Sequence, residues 1–329
     1  MEYAKPWLSI DEQIDVLVRR GLEVRDEDAA IRLLREVGYY RLTGYLYPFR
    51  RSERFDDGEG RERIRVLSTF VAGACMDDAA DLIDFDRELR MLVLEGIERF
   101  EIALRMQVGH SMGRVSAFSH TAPSTFVSSF TQARRGAAGE PLPSGHALWI
   151  DRVEERQRNS DEAFVAHFRS KYDDRMPIWA LTEILELGHV SRLYGGLRND
   201  IATEIAQAFG VPTKRLMQSW VACLTYVRNV AAHHARLYNR KLVSAPKRPK
   251  GDAVPLLSHL THDEAPKDFG TYSALAVMAY LLEAVHPGRD WAVRVATLLR
   301  RFPTTDRLDV GSMGVADGWL DHELWQRSA

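Results

Sequence analysis

Apolar positions recur along most of this chain at the three- and four-residue spacing of helices with one buried face, and almost nowhere at the two-residue spacing of strands. The first such stretch opens on Ser9-Ile10-Asp11-Glu12, a capping box whose hydroxyl and carboxylate satisfy orphan amides at a helix start. It continues through Ile14, Leu17 and Val18 and stops at Gly21. A second helix opens near Asp26 and carries Ile31, Leu33, Leu34 and Val37 to Gly38. Tyr39, Tyr40, Tyr45, Tyr47 and Phe49 then crowd around Gly44, a pattern that predicts a turn or short extended piece leading into a charged loop over residues 50–65.

Over residues 77–112 the apolar stripe is long and broad, with Leu82, Phe85, Leu89, Leu92, Val93, Gly96, Ile97, Phe100 and Leu104 on one side, which predicts a core helix. Residues 113–147 are rich in Ser, Thr, Gly, Pro and Ala and read as an irregular insertion. Helices resume over 150–157 and 161–172, and Pro177 opens another that passes Trp179, Leu181, Ile184 and Leu187 to Gly188. One more spans 199–209 and ends at Gly210; Pro212-Thr213 then starts a long helix through Leu216, Trp220, Leu224 and Val227. Helices over 272–285 and 291–299 follow, with a tail that packs through Trp319 and Trp325. The pattern predicts an all-α protein in three segments: an N-terminal helical and aromatic region (1–74), a helical domain (75–290) holding the insertion, and a C-terminal helix and tail (291–329).

With 329 residues and 45% apolar content the chain can bury a sizeable core. Cys75 and Cys223 are too few for a disulfide framework or a cysteine-based zinc site, which fits a reducing cytoplasm. The first residues lack a signal peptide's basic start and apolar run, and no stretch approaches the roughly 18 apolar residues of a spanning helix, so no membrane association is expected. Gly58-Glu59-Gly60 lacks the strand and helix of a phosphate-cradling loop. His259, His262 and Asp263 have metal-like spacing without a further ligand, so neither metal nor other cofactor is expected.

A net charge of -2 argues against a uniformly basic nucleic-acid binder, but the distribution matters more than the sum. Arg236, Arg240, Lys241, Lys247, Arg248 and Lys250 fall within one acid-free stretch, either an RNA-binding patch or a solvated loop. Directly before it stands Arg228-Asn229-Val230-Ala231-Ala232-His233-His234, near the end of a predicted helix. Arginine grips phosphate through a planar fork of donors, and histidine ordinarily exchanges protons near neutrality. Five residues of helix turn roughly 500° and rise roughly 7.5 Å, so Arg228 and His233 flank one concavity only if the helix end loosens or a second helix faces them.

Cutting RNA through its 2′-hydroxyl needs a base, an acid and positive charge on the phosphoryl oxygens, and no metal. On that reading His233 transfers protons, Arg228 stabilises the phosphate, Asn229 orients the histidine or bonds the phosphate, and His234 is the alternative to His233. Arg105 and His110 repeat the arginine–histidine spacing without the flanking amide or the doubled histidine, and offer a second motif inside the same chain.

These residues belong to an ordered series of blocks: Lys5-Pro6 with Leu8 to Gln13, Gly38 to Tyr45, Phe85 to Arg90, Pro177-Ile178-Trp179, Arg228 to Arg240, and Met313-Gly314 through Gly318-Trp319 to Leu324-Trp325. In that series the chain resembles the Abi (abortive infection) bacteriophage-resistance proteins of the AbiD/AbiF type, whose core is a HEPN-type helical ribonuclease module. The resemblance implies an RNA endonuclease acting as an antiphage toxin, with two motifs brought together across a two-fold homodimer interface. Pairing of Arg228 and His233 with Arg105 and His110 within one chain competes with that arrangement. Some relatives act with a small non-coding RNA, and Tyr40 and Arg41 are candidates to stack on and clamp it, although the tyrosines serve equally well as core. The alternative class is a non-catalytic RNA-binding or assembly module that holds RNA in the same cleft.

Overall fold

The computed structural model describes residues 6–261, 270–288 and 290–326; Lys5, His262 and Asp263 lie outside them. Helices dominate. Helix α1 (Ile10–Arg19) forms behind the Ser9 capping box, with both reciprocal hydrogen bonds made, and α2 (Glu27–Val37) starts where the Asp26 carboxylate accepts from the Ala29 amide. Two expectations fail next. Residues 39–45 form a helix, α3 (Tyr39–Tyr45), and the expected charged loop is an antiparallel hairpin, β1 (Arg50–Asp56) and β2 (Glu62–Phe70), turning at Gly58 and Gly60. The hairpin escapes a periodicity argument because both its faces are wet: Phe55, Ile64 and Val66 are exposed beside the arginines.

Helix α4 (Met76–Val115) is the axis of the fold. Its 40 residues span about 60 Å, and α3 and most of the later long helices pack along it. Gly96 lies beneath the Trp291 indole, where a Cβ would come within 2.8 Å of the ring, and Trp291 Nε1 donates to the Leu92 carbonyl at 2.8 Å. Gly113 sits against the Trp179 ring in the same way, and Gly109 lets the Trp179 backbone and the Thr182 hydroxyl approach α4, which places the Pro177-Ile178-Trp179 block.

After α4 the insertion holds short elements: α5 (Ser128–Thr131) and a two-residue ribbon, β3 (Arg134–Arg135) with β4 (Pro141–Leu142). Then come α6 (Gly145–Arg158) and α7 (Ala163–Tyr172). The single helix expected from Pro177 to Gly188 is broken: α8 (Ile178–Leu181) runs into a 3-10 turn, Leu185 is extended, and α9 starts afresh over Leu187–Gly196. Leu181, Ile184, Leu185 and Leu187 are all buried, so apolar spacing continues through the break and conceals it. The remaining helices are α10 (Asn199–Gln207), α11 (Lys214–Ala232), α12 (Thr271–Val285), α13 (Trp291–Arg300) and α14 (Glu323–Gln326). One hydrophobic cluster runs from Ile14 to Trp325 and joins the three expected segments.

A buried ion pair ties the N-terminal helices to the motif. Asp86, fully buried on α4, pairs with Arg90 one turn on and accepts from the Tyr45 hydroxyl at 2.6 Å, the Leu237 amide at 3.1 Å and the Tyr238 amide at 2.7 Å. Burial raises the carboxyl pKa while these donors pull it back. Burial and the adjoining carboxylate push the Tyr45 hydroxyl up to about 12, which keeps it a donor. Truncating one partner of such a pair strands the other charge. Asp86→Ala should therefore cost about 3–5 kcal/mol in urea unfolding; a loss under about 1 kcal/mol, typical of exposed pairs, would refute this assignment.

Candidate functional site

The motif occupies the C-terminal end of α11 because its sequence writes both ends of that helix. Thr213 caps the start, its hydroxyl accepting from the Leu216 amide at 3.2 Å, and Leu216, Trp220, Leu224, Val227 and Ala231 bury one face. At the far end the His234 amide donates to Ala231 O and the Ala235 amide to Val230 O, both at 3.0 Å, the paired bonds of a Schellman stop. His233 is the last residue before the reversal, and His234 takes the left-handed position that glycine usually fills, with φ 56°. Both imidazoles are exposed, as is Asn229.

Beyond the stop the chain is tied down at once. The Arg236 guanidinium donates to the Gly44 carbonyl, Leu237 and Tyr238 give their amides to Asp86, and the Thr271 hydroxyl donates to Leu237 O at 2.6 Å. Tyr238 stacks on Tyr45 with ring centroids 6.1 Å apart. Three of the sequence blocks, residues 38–45, 85–90 and 228–240, thus converge on one buried carboxylate.

Arg228 faces α4 across a cavity of about 340 Å³, lined also by Leu94, Ile97, Glu98, Glu101, Ile102 and Arg105. Its Nη1 donates to Asn229 Oδ1 at 3.3 Å, and among the described residues it has no carboxylate partner. Arg105 is ion-paired with Glu101. The two expected arginines therefore share a cavity, but the histidines diverge. Leu237 meets Asp86 while Arg228 meets residues 94–105, so α11 runs antiparallel to α4 and His233 lies toward Asp86. His110 lies on the other side of Arg105, about 7.5 Å further along a helix that continues to Val115 instead of ending there.

The expected RNA-binding residues separate into groups. Beside the motif, Arg236 is held by Gly44, and Arg240 Nε donates to the Tyr226 hydroxyl at 2.8 Å. Lys241 is exposed. Lys247, Arg248 and Lys250 line an apolar groove of about 710 Å³ with Arg215 at the opposite end of α11, about 28 Å from the motif. Tyr40 is 76% exposed and edges onto Tyr39, and Arg41 is half-buried. His259 is buried and its Nε2 bonds the Tyr272 hydroxyl at 3.0 Å. Among the described residues no three His, Cys, Asp or Glu side chains cluster as a metal would require.

Nothing in the sequence points to Glu98, Glu101 and Arg215 at these sites, because the cavity walls they face come from distant stretches of chain. The anchoring role of Asp86 is also not evident there, although Asp86 and Arg90, like Glu101 and Arg105, stand at the four-residue spacing that forecasts a helical ion pair.

The family model for Abi-like proteins matches residues 32–239, from α2 to just beyond the Tyr238 anchor. The chain belongs to the Abi-like family. Its membership supports a role in abortive-infection phage defence. No curated protein and no solved structure matches the chain. No helix among the described residues of this Abi-like chain is long and apolar enough to cross a membrane.

The left-handed His234 gives a direct check on the helix stop. A non-glycine residue there carries a steric cost of about 1–2 kcal/mol, partly offset in a glycine variant by the freer unfolded chain. His234→Gly should raise stability by roughly 0.5–1 kcal/mol in urea unfolding, and His234→Val should lower it by at least as much. Stabilisation by valine would contradict the left-handed assignment.

Proposed function

We propose that this protein is a metal-independent RNA endonuclease with a HEPN-type core, akin to the AbiD/AbiF proteins, that acts as the toxin of an abortive-infection system. The observation that carries the proposal is Arg228: a guanidinium without a carboxylate partner among the described residues, opening on a cavity one and a half turns before two exposed histidines at a helix end. A guanidinium left unpaired beside proton-exchanging side chains suits a transient dianionic phosphorane better than it suits stability.

In the reaction the 2′-oxygen attacks the adjacent phosphorus while the P–O5′ bond breaks, leaving a 2′,3′-cyclic phosphate and a free 5′-hydroxyl. One imidazole takes the 2′ proton, another protonates the leaving oxygen, and Arg228 carries the charge gathering on the non-bridging oxygens. His233 is the first choice for proton transfer, because it sits at the last helical turn beside Arg228 while the backbone of His234 serves the chain reversal.

A second imidazole comes from a second copy of the chain. Ile102 and Met106, 56% and 57% exposed and one turn apart on α4, put an apolar strip beside the Arg228 cavity, where a two-fold contact would bring two motifs together. The divergence of His110 from His233 favours that arrangement over pairing within one chain. RNA is the partner in either case, and Tyr40 with Arg41 is an accessible place for a small non-coding RNA to stack.

The test is incubation of the protein with mixed RNA in EDTA and analysis of the fragment ends. Wild type should yield 2′,3′-cyclic phosphates, His233→Ala should lose about 10²–10⁴ in rate, and an excess of His233→Ala chains should suppress wild-type activity, because a mixed pair keeps only one His233. RNA that binds but stays intact under wild-type protein would instead favour the assembly-module reading.

A further inference from the structure

Arg105 is not a copy of Arg228 with its own histidine. It lines the same cavity as Arg228, while His110 stands five residues further along α4, outside that lining. The pair it makes with Glu101 can be compared with its neighbour one and a half turns earlier. Arg99 and Glu95 have the same four-residue spacing, but there Glu95 also receives both Nη groups of Arg294 from α13, at 2.9 and 2.8 Å, so that pair is used up in packing α13 onto α4. Among the described residues no third ion-pair partner joins Glu101 and Arg105; the pair faces the cavity. One guanidinium N–H, the Arg105 Nε, is buried without a hydrogen-bond partner among the described residues. That nitrogen is closed to solvent, so an acceptor reaches Arg105 through the part of its guanidinium that Glu101 leaves open, on a side chain still 20% exposed at the cavity wall.

We propose that Arg105, aimed by Glu101, is a second phosphate-binding residue for RNA and holds the phosphodiester next to the one that Arg228 stabilises. The inference rests on the RNA reading above. Antiparallel packing orders the groups along the cleft as His233, Arg228 and Arg105, which suits successive phosphates of one strand. Glu101 is a positioning residue. Its carboxylate fixes the plane of the guanidinium fork and offsets the repulsion two guanidiniums would otherwise feel across an unfilled cleft.

Each phosphate neutralised on a single strand contributes about 0.7 to the slope of log affinity against log salt, a quantity that packing defects leave alone. The experiment measures binding of a 2′-O-methyl RNA oligonucleotide, which lacks the attacking hydroxyl, by anisotropy between about 50 and 200 mM salt. The Glu101→Gln/Arg105→Gln double variant removes both charges and strands neither; it should flatten the slope by about 0.7–1, as should Arg228→Gln measured in parallel. Arg105→Lys keeps the charge and should keep the slope while weakening binding several-fold through loss of the fork. Melting temperatures identify any variant that has failed to fold, and Arg105→Lys then decides the matter: an affinity equal to wild type overturns the proposal. A wild-type slope in the folded double variant overturns it as well and leaves the nuclease reading standing. Absence of RNA binding by the unaltered protein overturns both.

Discussion

The Asp86 carboxylate is the point on which the architecture turns. It is wholly buried, paired with Arg90, and receives the Tyr45 hydroxyl and the amides of Leu237 and Tyr238. A carboxylate removed from water is tolerated only when donors surround it, and here they come from three separate stretches of chain. Satisfying one charge thus docks α3 onto α4 and fixes the chain just after the histidines. Exposed side chains at a helix end ordinarily fray; these are clamped on both sides, by α11 before them and by the Asp86 bonds after them.

The consequence for chemistry is that His233 and Arg228 hold a set relation without being buried. Arg228 borders a cleft against α4, where Arg105 and Glu101 form the facing wall, while the histidines stay open to a partner. Arg105 is neutralised internally and Arg228 is not; in the proposed reaction that difference would divide the work between holding a strand and stabilising charge that develops on it. Beside the cleft, Ile102 and Met106 form the exposed apolar strip on which the proposed two-fold contact rests.

Much of this was legible in the residues, and the parts that were not share a cause. The Ser9 capping box, the Asp26 and Thr213 caps and the long apolar stripe of α4 are local signals, and the helices they predict are present. Residues 39–45 carry tyrosines and Gly44, poor helix formers, and the helix there is fastened by tertiary bonds from Tyr45 and Gly44 that no local rule contains. The hairpin lacks a buried face, and the break at Leu185 lies inside an unbroken apolar run. At the site the motif and its place at the helix end could be read directly. The repeated spacing offers Arg105 and His110 as partners within the chain, but that the arginines meet while the histidines part, and that Arg236 serves Gly44, depend on how α4 and α11 pack.

The anchor is tested most directly by amide hydrogen exchange at Leu237 and Tyr238. Both residues are buried, follow a helix stop and lie in no regular element, and the acceptor of both amides is Asp86. The account predicts exchange as slow as that of the buried face of α11, governed by global opening, and a collapse of protection at these two amides in Asp86→Ala, which removes the acceptor. Exchange in the wild-type protein as fast as in the exposed turn at Gly58 would contradict it.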